Sequence, residues 1–161
     1  MQELLDLANG VPTLDLDAGA TLLRDGDDGG SLYVLLDGAL VVEKSGMSIA
    51  TIDERGSCVG EMSVVLGRPS SADVRAAVPS TVAVVADARA RLATDPELAL
   101  ALARLLASRL QLMTSYLADL KQQYGDHEGG LGMVDTVLSA LSRASGTRSE
   151  LSSDRDPDPE Y

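Results

Sequence analysis

The sequence predicts a mainly β domain with added helices: an antiparallel roll of short strands, a short helix at its start, a brief helix in its middle and a long helix at its end. Three observations predict it. Short apolar runs recur at 20–24, 31–36, 39–44, 47–52, 73–78 and 81–86 between Gly and Asp turns, the rhythm of a compact roll or barrel. The segment Gly60-Glu61-Met62-Ser63-Val64-Val65-Leu66-Gly67 reads as one or two helical turns framed by glycines, with Gly67 and the nearby Pro69 stopping it. After Pro96, residues up to 124 contain neither glycine nor proline, as a long helix requires.

Taken in order, residues 2 to 8 form a short apolar-patterned helix, and Val11-Pro12-Thr13-Leu14-Asp15-Leu16-Asp17 begins the strand series. The segment from Gly26 to Val42 reads as a hairpin: its glycines supply the positive φ angles of tight turns, and Tyr33 and Val34 are good strand formers. Cys58, the only cysteine, lies in the strand before Gly60 and reads as a buried free thiol.

The glycine-framed turn has chemistry of its own. A glycine ahead of a short helix lets a ligand approach the backbone and leaves amides without helical partners, and the helix start carries partial positive charge. An anion is favoured there. A carboxylate beside an anion site is unfavourable unless it accepts hydrogen bonds from neutral hydroxyls, such as those of a sugar, and this is the reading of Glu61.

With the hairpin before it, the run Gly56-Ser57-Cys58-Val59-Gly60-Glu61-Met62-Ser63-Val64-Val65-Leu66-Gly67-Arg68-Pro69-Ser70-Ser71-Ala72 resembles the phosphate-binding cassette of cyclic nucleotide-binding domains. The resemblance spans about residues 10 to 124 and implies the antiparallel β-roll, or jelly roll, of the cyclic nucleotide-binding type. It implies that Glu61 holds the ribose 2′-hydroxyl. It also implies an arginine after the proline, pairing with the cyclic phosphate, where this chain has Ser70. A guanidinium makes charge-assisted bonds, and hydrogen bonds to charged groups contribute roughly 1.5–3 kcal/mol each, so its loss weakens binding roughly tenfold to 150-fold. Ser70 and Ser71 replace some of the hydrogen bonding but none of the charge. Arg68 is placed to swing in, whereas Arg75 sits in the alternating run from Asp73 to Val78, where strand geometry fixes its direction. The loop candidates for the ligand are therefore Gly60, Glu61, Met62, Ser63, Arg68, Ser70 and Ser71. Three outcomes stay open: a cyclic nucleotide (cyclic AMP before cyclic GMP), another small anion, or no ligand. No obligatory cofactor is expected.

Thr94-Asp95-Pro96-Glu97 supplies a cap and an early proline for the long helix. Ala99, Ala103, Leu106, Leu110, Met113, Leu117, Leu120 and Tyr124 then recur at spacings of 4,3,4,3,4,3,4, the alternation of a coiled-coil seam, and imply a homodimer. The other reading is that these leucines face one intramolecular core. A second stripe, Leu98, Leu102 and Leu105, is expected against the roll. In the resembling family this helix closes over the base and often carries a hydroxyl that contacts it. The stretch from Arg109 to Ser115 is similar to that region of the catabolite-activator type, which makes Thr114 or Ser115 the candidate; surface hydroxyls are the alternative.

The organisation expected is a cyclic nucleotide-binding-like domain over 1–124, including the long helix, and a flexible, acidic, Ser- and Gly-rich tail over 125–161. The tail holds a short amphipathic helix at about 131–144, around Met133 to Leu141. A winged helix-turn-helix of roughly 60–70 residues, which follows in transcription factors of the resembling family, does not fit in it. The chain reads as a stand-alone module whose tail could meet a protein partner.

Composition excludes other classes. Thirteen basic against 25 acidic residues give a net charge of −12, which repels nucleic-acid phosphates. No uncharged apolar run approaches a membrane span, and the first residues lack a secretion signal, so a cytoplasmic protein without membrane attachment is expected. Without Trp or Phe, the core rests on Leu, Val, Ala, Ile and Met. The only histidine, His127, lies in the acidic linker, so a His-carboxylate metal centre and a nucleophile–base pair both lack parts, and no enzyme is expected. Two functions remain: a sensor that binds a cyclic nucleotide weakly, or a dimeric interaction module that has lost its ligand.

Overall fold

The structure is a computed structural model that describes residues 2–124 and 132–143. The chain divides into two compact units, Met1–Ser108 and Arg109–Tyr161.

The first unit opens with α1 (Gln2–Leu7) and continues through β1 (Thr13–Leu16), β2 (Thr21–Leu23), β3 (Leu32–Asp37), β4 (Leu40–Lys44), β5 (Met47–Ile52) and β6 (Cys58–Val59). Then come α2 (Glu61–Leu66), β7 (Asp73–Ala76), β8 (Ser80–Val85), α3 (Ala88–Leu92) and the start of α4 (Pro96–Tyr124). The strands form two four-stranded antiparallel sheets, ordered β1-β8-β3-β6 and β2-β7-β4-β5. This is the expected β-roll, with α3 as an additional helix that the strand-and-glycine pattern does not announce. The expected strand 73–78 ends at Ala76, where the turn through Pro79 takes over.

Alternation along the first sheet produces two cores, because successive side chains point to opposite faces. Leu32 and Val34 of β3, Cys58 of β6, and Ala83 and Val85 of β8 face the helices and pack in one cluster with Leu4, Val64, Ala88, Leu98, Ala101 and Leu102. The residues out of phase, Leu35, Val59 and Val82, join Leu16, Leu23, Leu40, Val74 and Ala76 inside the roll. A sheet buried on both faces explains why β8 reads as a nearly unbroken apolar run. The stripe Leu98, Leu102 and Leu105 expected against the roll does pack there, with Leu98 fully buried at 0% exposure. Cys58 is buried and in no disulfide.

One turn in this frame needs its glycine. Gly38 has φ 91°, and a Cβ there would stand 2.3 Å from Ser80 Oγ; that hydroxyl also accepts a hydrogen bond from the Ala39 amide at 3.0 Å. The β3–β4 turn and the start of β8 are thus held together through one buried serine.

α4 begins at Pro96, capped by Asp95, whose Oδ1 accepts the Leu98 N–H at 3.0 Å. Within the second unit, α4 runs on to Tyr124, and α5 spans Gly132–Arg143 where a short amphipathic helix is expected. His127 and the serine-rich end after Arg143 lie outside the described residues.

Candidate functional site

Gly60 and Glu61 bring the site together. Gly60 is the N-cap of α2 in the left-handed conformation, φ 88° and ψ −6°. A Cβ at this position would stand 2.7 Å from Ser31 O and 3.6 Å from Tyr33 Cδ2. Only glycine meets both demands, so β3 and the start of α2 approach each other backbone to backbone. The first intrahelical bond runs from Val64 N–H to Gly60 O at 3.1 Å, which leaves the amides of Met62 and Ser63 without acceptors inside the helix. Glu61 is only 6% exposed, an unusual burial for a carboxylate, which has to be paired or hydrogen-bonded to be tolerated. Val64 is buried in the helix-side core and anchors α2. Gly67 ends the helix at φ 65°, its amide donating to Ser63 O at 3.0 Å.

The loop after Gly67 is held from the turn between β2 and β3. Ser70 N–H donates to Asp27 O, and Gly26 N–H to Ser70 O, both at 2.8 Å. The Ser70 hydroxyl is buried and donates to Ala72 O at 2.9 Å. At the position where an arginine is expected, the side chain therefore shapes its own loop. Ser71 is exposed, and its carbonyl accepts from Lys44 Nζ at 2.9 Å.

The electrostatics around the loop are mixed. Asp27 accepts the Arg24 amide and Asp73 the Asp25 amide, each at 2.9 Å. Against these carboxylates stand Lys44 and Arg68. Arg68 is exposed, with no hydrogen bond or ion pair of its side chain among the described residues. Arg75 points out of β7 and pairs with Glu43 at 3.3 Å; as its strand position requires, it is turned to the surface. Met62 is exposed on α2, while Ser63 is buried.

Thr114 and Ser115 lie on the part of α4 in the second unit. Both are exposed, and the Thr114 hydroxyl donates to Leu110 O at 2.8 Å, a bond within its own helix. Of the dimer-seam residues, Leu110 and Met113 are exposed, and Leu106, Leu117 and Leu120 are half-buried in the single chain.

Two residues at the cassette are missing from the sequence reading. Gly29 is buried against it: a Cβ there would fall 2.2 Å from Ser63 Cβ and 3.3 Å from Arg68 O. Arg89, in α3, donates from Nη2 to Ser63 O at 3.0 Å and to Arg68 O at 3.3 Å. Gly29 sits inside the recognised hairpin, and its pairing with Gly30 is the signal that could have marked a close approach. Arg89 lies in a five-residue helix, too short to show a period, and nothing local points to its partners.

Elsewhere, two surface clefts of about 390 and 360 Å³ are lined by α1 residues with Arg55 and with Glu97, respectively, and neither is lined by a cassette residue. Among the described residues there is no group of three or more His, Cys, Asp or Glu that could hold a metal ion, and no helix is long and apolar enough to cross a membrane.

A β-roll interrupted by a glycine-led helix, with a buried carboxylate at its first position, sets helix-start amides beside a carboxylate at one backbone loop. Residues 13–91 match the profile of the cyclic nucleotide-binding domain, and this domain belongs to that family. No curated protein matches the chain. Among solved structures, the chain is similar to the catabolite activator protein of Thermus thermophilus, at 26% identity over 75% of this chain and 60% of that one, with a TM-score of 0.59. It is similar to the N-terminal domain of a transcriptional regulator from Streptomyces coelicolor, at 25% identity, 70% and 84% coverage and a TM-score of 0.52. The fold also matches the regulatory subunit of a cAMP-independent protein kinase A from Trypanosoma brucei, at 23% identity, 65% and 38% coverage and a TM-score of 0.55. The chain thus spans 60% of the first of these proteins and 38% of the last.

Proposed function

We propose that this domain is a regulatory module that takes a cyclic nucleotide weakly, cyclic AMP before cyclic GMP, and that it works as a homodimer through α4. The observation that carries this reading is the pair Gly60 and Glu61: a left-handed glycine that starts α2 with no side-chain cap, so that its first amides lack helical acceptors, followed by a buried carboxylate suited to sugar hydroxyls. The phosphate then meets the amides of Met62 and Ser63 and the exposed Ser71, with Arg68 free to approach from the rim. Glu61 takes the ribose. Affinity is low because Ser70 brings no charge, and its hydroxyl already serves Ala72 O. Ligand contacts that differ between two positions of α4 would bias the dimer and so carry the signal. The module has no catalytic role in this reading; its output goes to a protein partner.

Calorimetry with cyclic AMP and cyclic GMP, repeated on Glu61→Ala, tests the proposal. Heat of binding in the micromolar to millimolar range, lost in Glu61→Ala, is the expected result. Heat that persists in the variant rejects the ribose pose alone.

One observation favours a second reading. The Ser70 loop is satisfied by its own hydrogen bonds and bordered by Asp27 and Asp73, the condition of a cassette that has settled without an anion. The domain would then be a ligand-independent, dimeric interaction module. Absence of heat with either nucleotide at millimolar concentration selects this reading over the first.

A further inference from the structure

We propose that Arg89 is the positioning residue of the cassette, a guanidinium that clamps segment 63–68 in the shape presented to the ligand; the proposal rests on the reading of this loop as a nucleotide site. Three observations converge on it. First, one nitrogen, Nη2, donates to Ser63 O at 3.0 Å and to Arg68 O at 3.3 Å, so a single group ties the middle of α2 to the loop beyond its end. Second, the Arg89 amide donates to Gly30 O at 3.2 Å, which fixes the start of α3 to the turn on which the cassette rests. Third, Arg89 Nε is buried and has no hydrogen-bond partner. A buried donor without an acceptor is unfavourable, so it is the two cassette carbonyls, not full satisfaction of the guanidinium, that account for an arginine here.

Against Gly29 the segment has no slack. Gly29 leaves no room for even a methyl group against Ser63. Ser63 thus meets both a backbone wall at Gly29 and a cation at Arg89. Ser63 O also accepts the amides of Gly67 and Arg68, which places the guanidinium at the carbonyl end of α2, the end that attracts positive charge. Release of Nη2 would let the segment 64–70 drift from the β2–β3 turn. The Ser63 amide, at the head of that segment, and Ser71, just beyond it, would move together.

The test compares Arg89→Met and Arg89→Lys with the parent, each also in a Ser70→Arg background that gives measurable affinity. Hydrogen exchange is followed over residues 64–70 and over β3 and β8, and cyclic AMP binding by calorimetry. Arg89→Met is expected to speed exchange over 64–70 about tenfold while leaving β3 and β8 unchanged, and to raise the Kd for cyclic AMP about tenfold in the Ser70→Arg background. Arg89→Lys is expected to recover part of both losses, since an ammonium keeps the charge and the donors but sits on a flexible stem that does not hold them in place as the planar guanidinium does. Unchanged exchange over 64–70 overturns the proposal. So does an increase spread evenly over β3 and β8, which would make Arg89 a general stabiliser, or a local increase with unchanged affinity. If no protein in the set takes up cyclic AMP, it is the nucleotide reading that fails, and the exchange result alone decides the clamp.

Discussion

At the residue scale, the cassette is defined by one side chain that is absent and one that cannot be present. Ser70→Arg supplies the missing cation. A charge-assisted bond to a phosphate contributes roughly 1.5–3 kcal/mol, so cyclic AMP is expected to bind roughly tenfold to 150-fold more tightly in the variant, as read by calorimetry. The variant also removes the hydroxyl that closes the loop on Ala72 O, so a gain below tenfold would show that loop shape limits binding more than charge. Gly60→Ala tests the complementary constraint. A non-glycine residue in the left-handed region costs about 1–2 kcal/mol, and the new Cβ would also press on Ser31 O from 2.7 Å. Urea unfolding is expected to show a loss of at least that size, and binding should fall with it. Gly60, Glu61 and Ser70 stood out in the sequence because their types are unusual for their places: a glycine before a helix, a carboxylate where a helix start favours an anion, a serine after the cassette proline. Arg89 was not, since its partners Ser63 and Arg68 are 26 and 21 residues away and only the folded chain brings them into reach.

The elements follow their local signals closely where those signals are complete. α4 starts at the proline after an aspartate cap and ends at Tyr124, as the absence of breakers predicts; α2 lies between its two glycines. α3 escaped notice because five residues hold too little periodicity, and its N-cap, Asp87, sits at φ 51° with no side-chain cap bond. The order of strands in the two sheets was equally hidden, because β1–β8 and β2–β7 are long-range pairings that no short motif encodes. Two predictions belong here. Leu102→Ala removes a side chain that is 1% exposed where α4 meets the roll, and a Leu→Ala change in a core costs about 2–5 kcal/mol. A loss within that range is expected in urea unfolding, whereas a loss below about 1 kcal/mol would mean that α4 is not docked through this stripe. Asp95 is the other. The Leu98 amide and then the Arg91 side chain hold its carboxyl below the ordinary carboxylate range. A depressed pKa in the folded state means that the native protein favours the ionised form, so its contribution is present above the ordinary value of 3.8 and is lost as pH falls through the lowered one. Asp95→Asn is therefore expected to lower Tm at pH 7, with the gap to the parent narrowing towards pH 3. A gap that stays constant with pH would assign the effect to cap geometry alone.

For the whole molecule, the open question is what covers the second half of α4. Apolar side chains are exposed there on more than one face: Leu110 at 50%, Leu112 at 72%, Met113 at 63% and Tyr116 at 63%. Exposure by itself does not select a partner, but spacing does. Residues two apart on a helix lie about 200° apart around its axis, so Leu112 and Leu110 cannot share one interface. The seam spaced by four and three residues contains Leu110, Met113, Leu117 and Leu120 and omits Leu112 and Tyr116. A two-fold dimer uses the same strip on both copies, and each buried leucine contributes about 1.5–3 kcal/mol, so a few such layers suffice to hold two chains at micromolar concentration. The parent is therefore expected to scatter light as twice its 16.8 kDa mass. Leu110→Glu with Met113→Glu should return it to the single-chain mass by placing carboxylates against each other in the seam, whereas Leu112→Glu, about 200° from Leu110 around the axis, should leave the dimer intact. If Leu112→Glu dissociates it and the first pair does not, the copies meet through another face of α4, and the four-three repeat is not the seam. A single-chain mass for the parent at micromolar concentration would remove the dimer from the proposed function and leave the nucleotide site to be judged on its own.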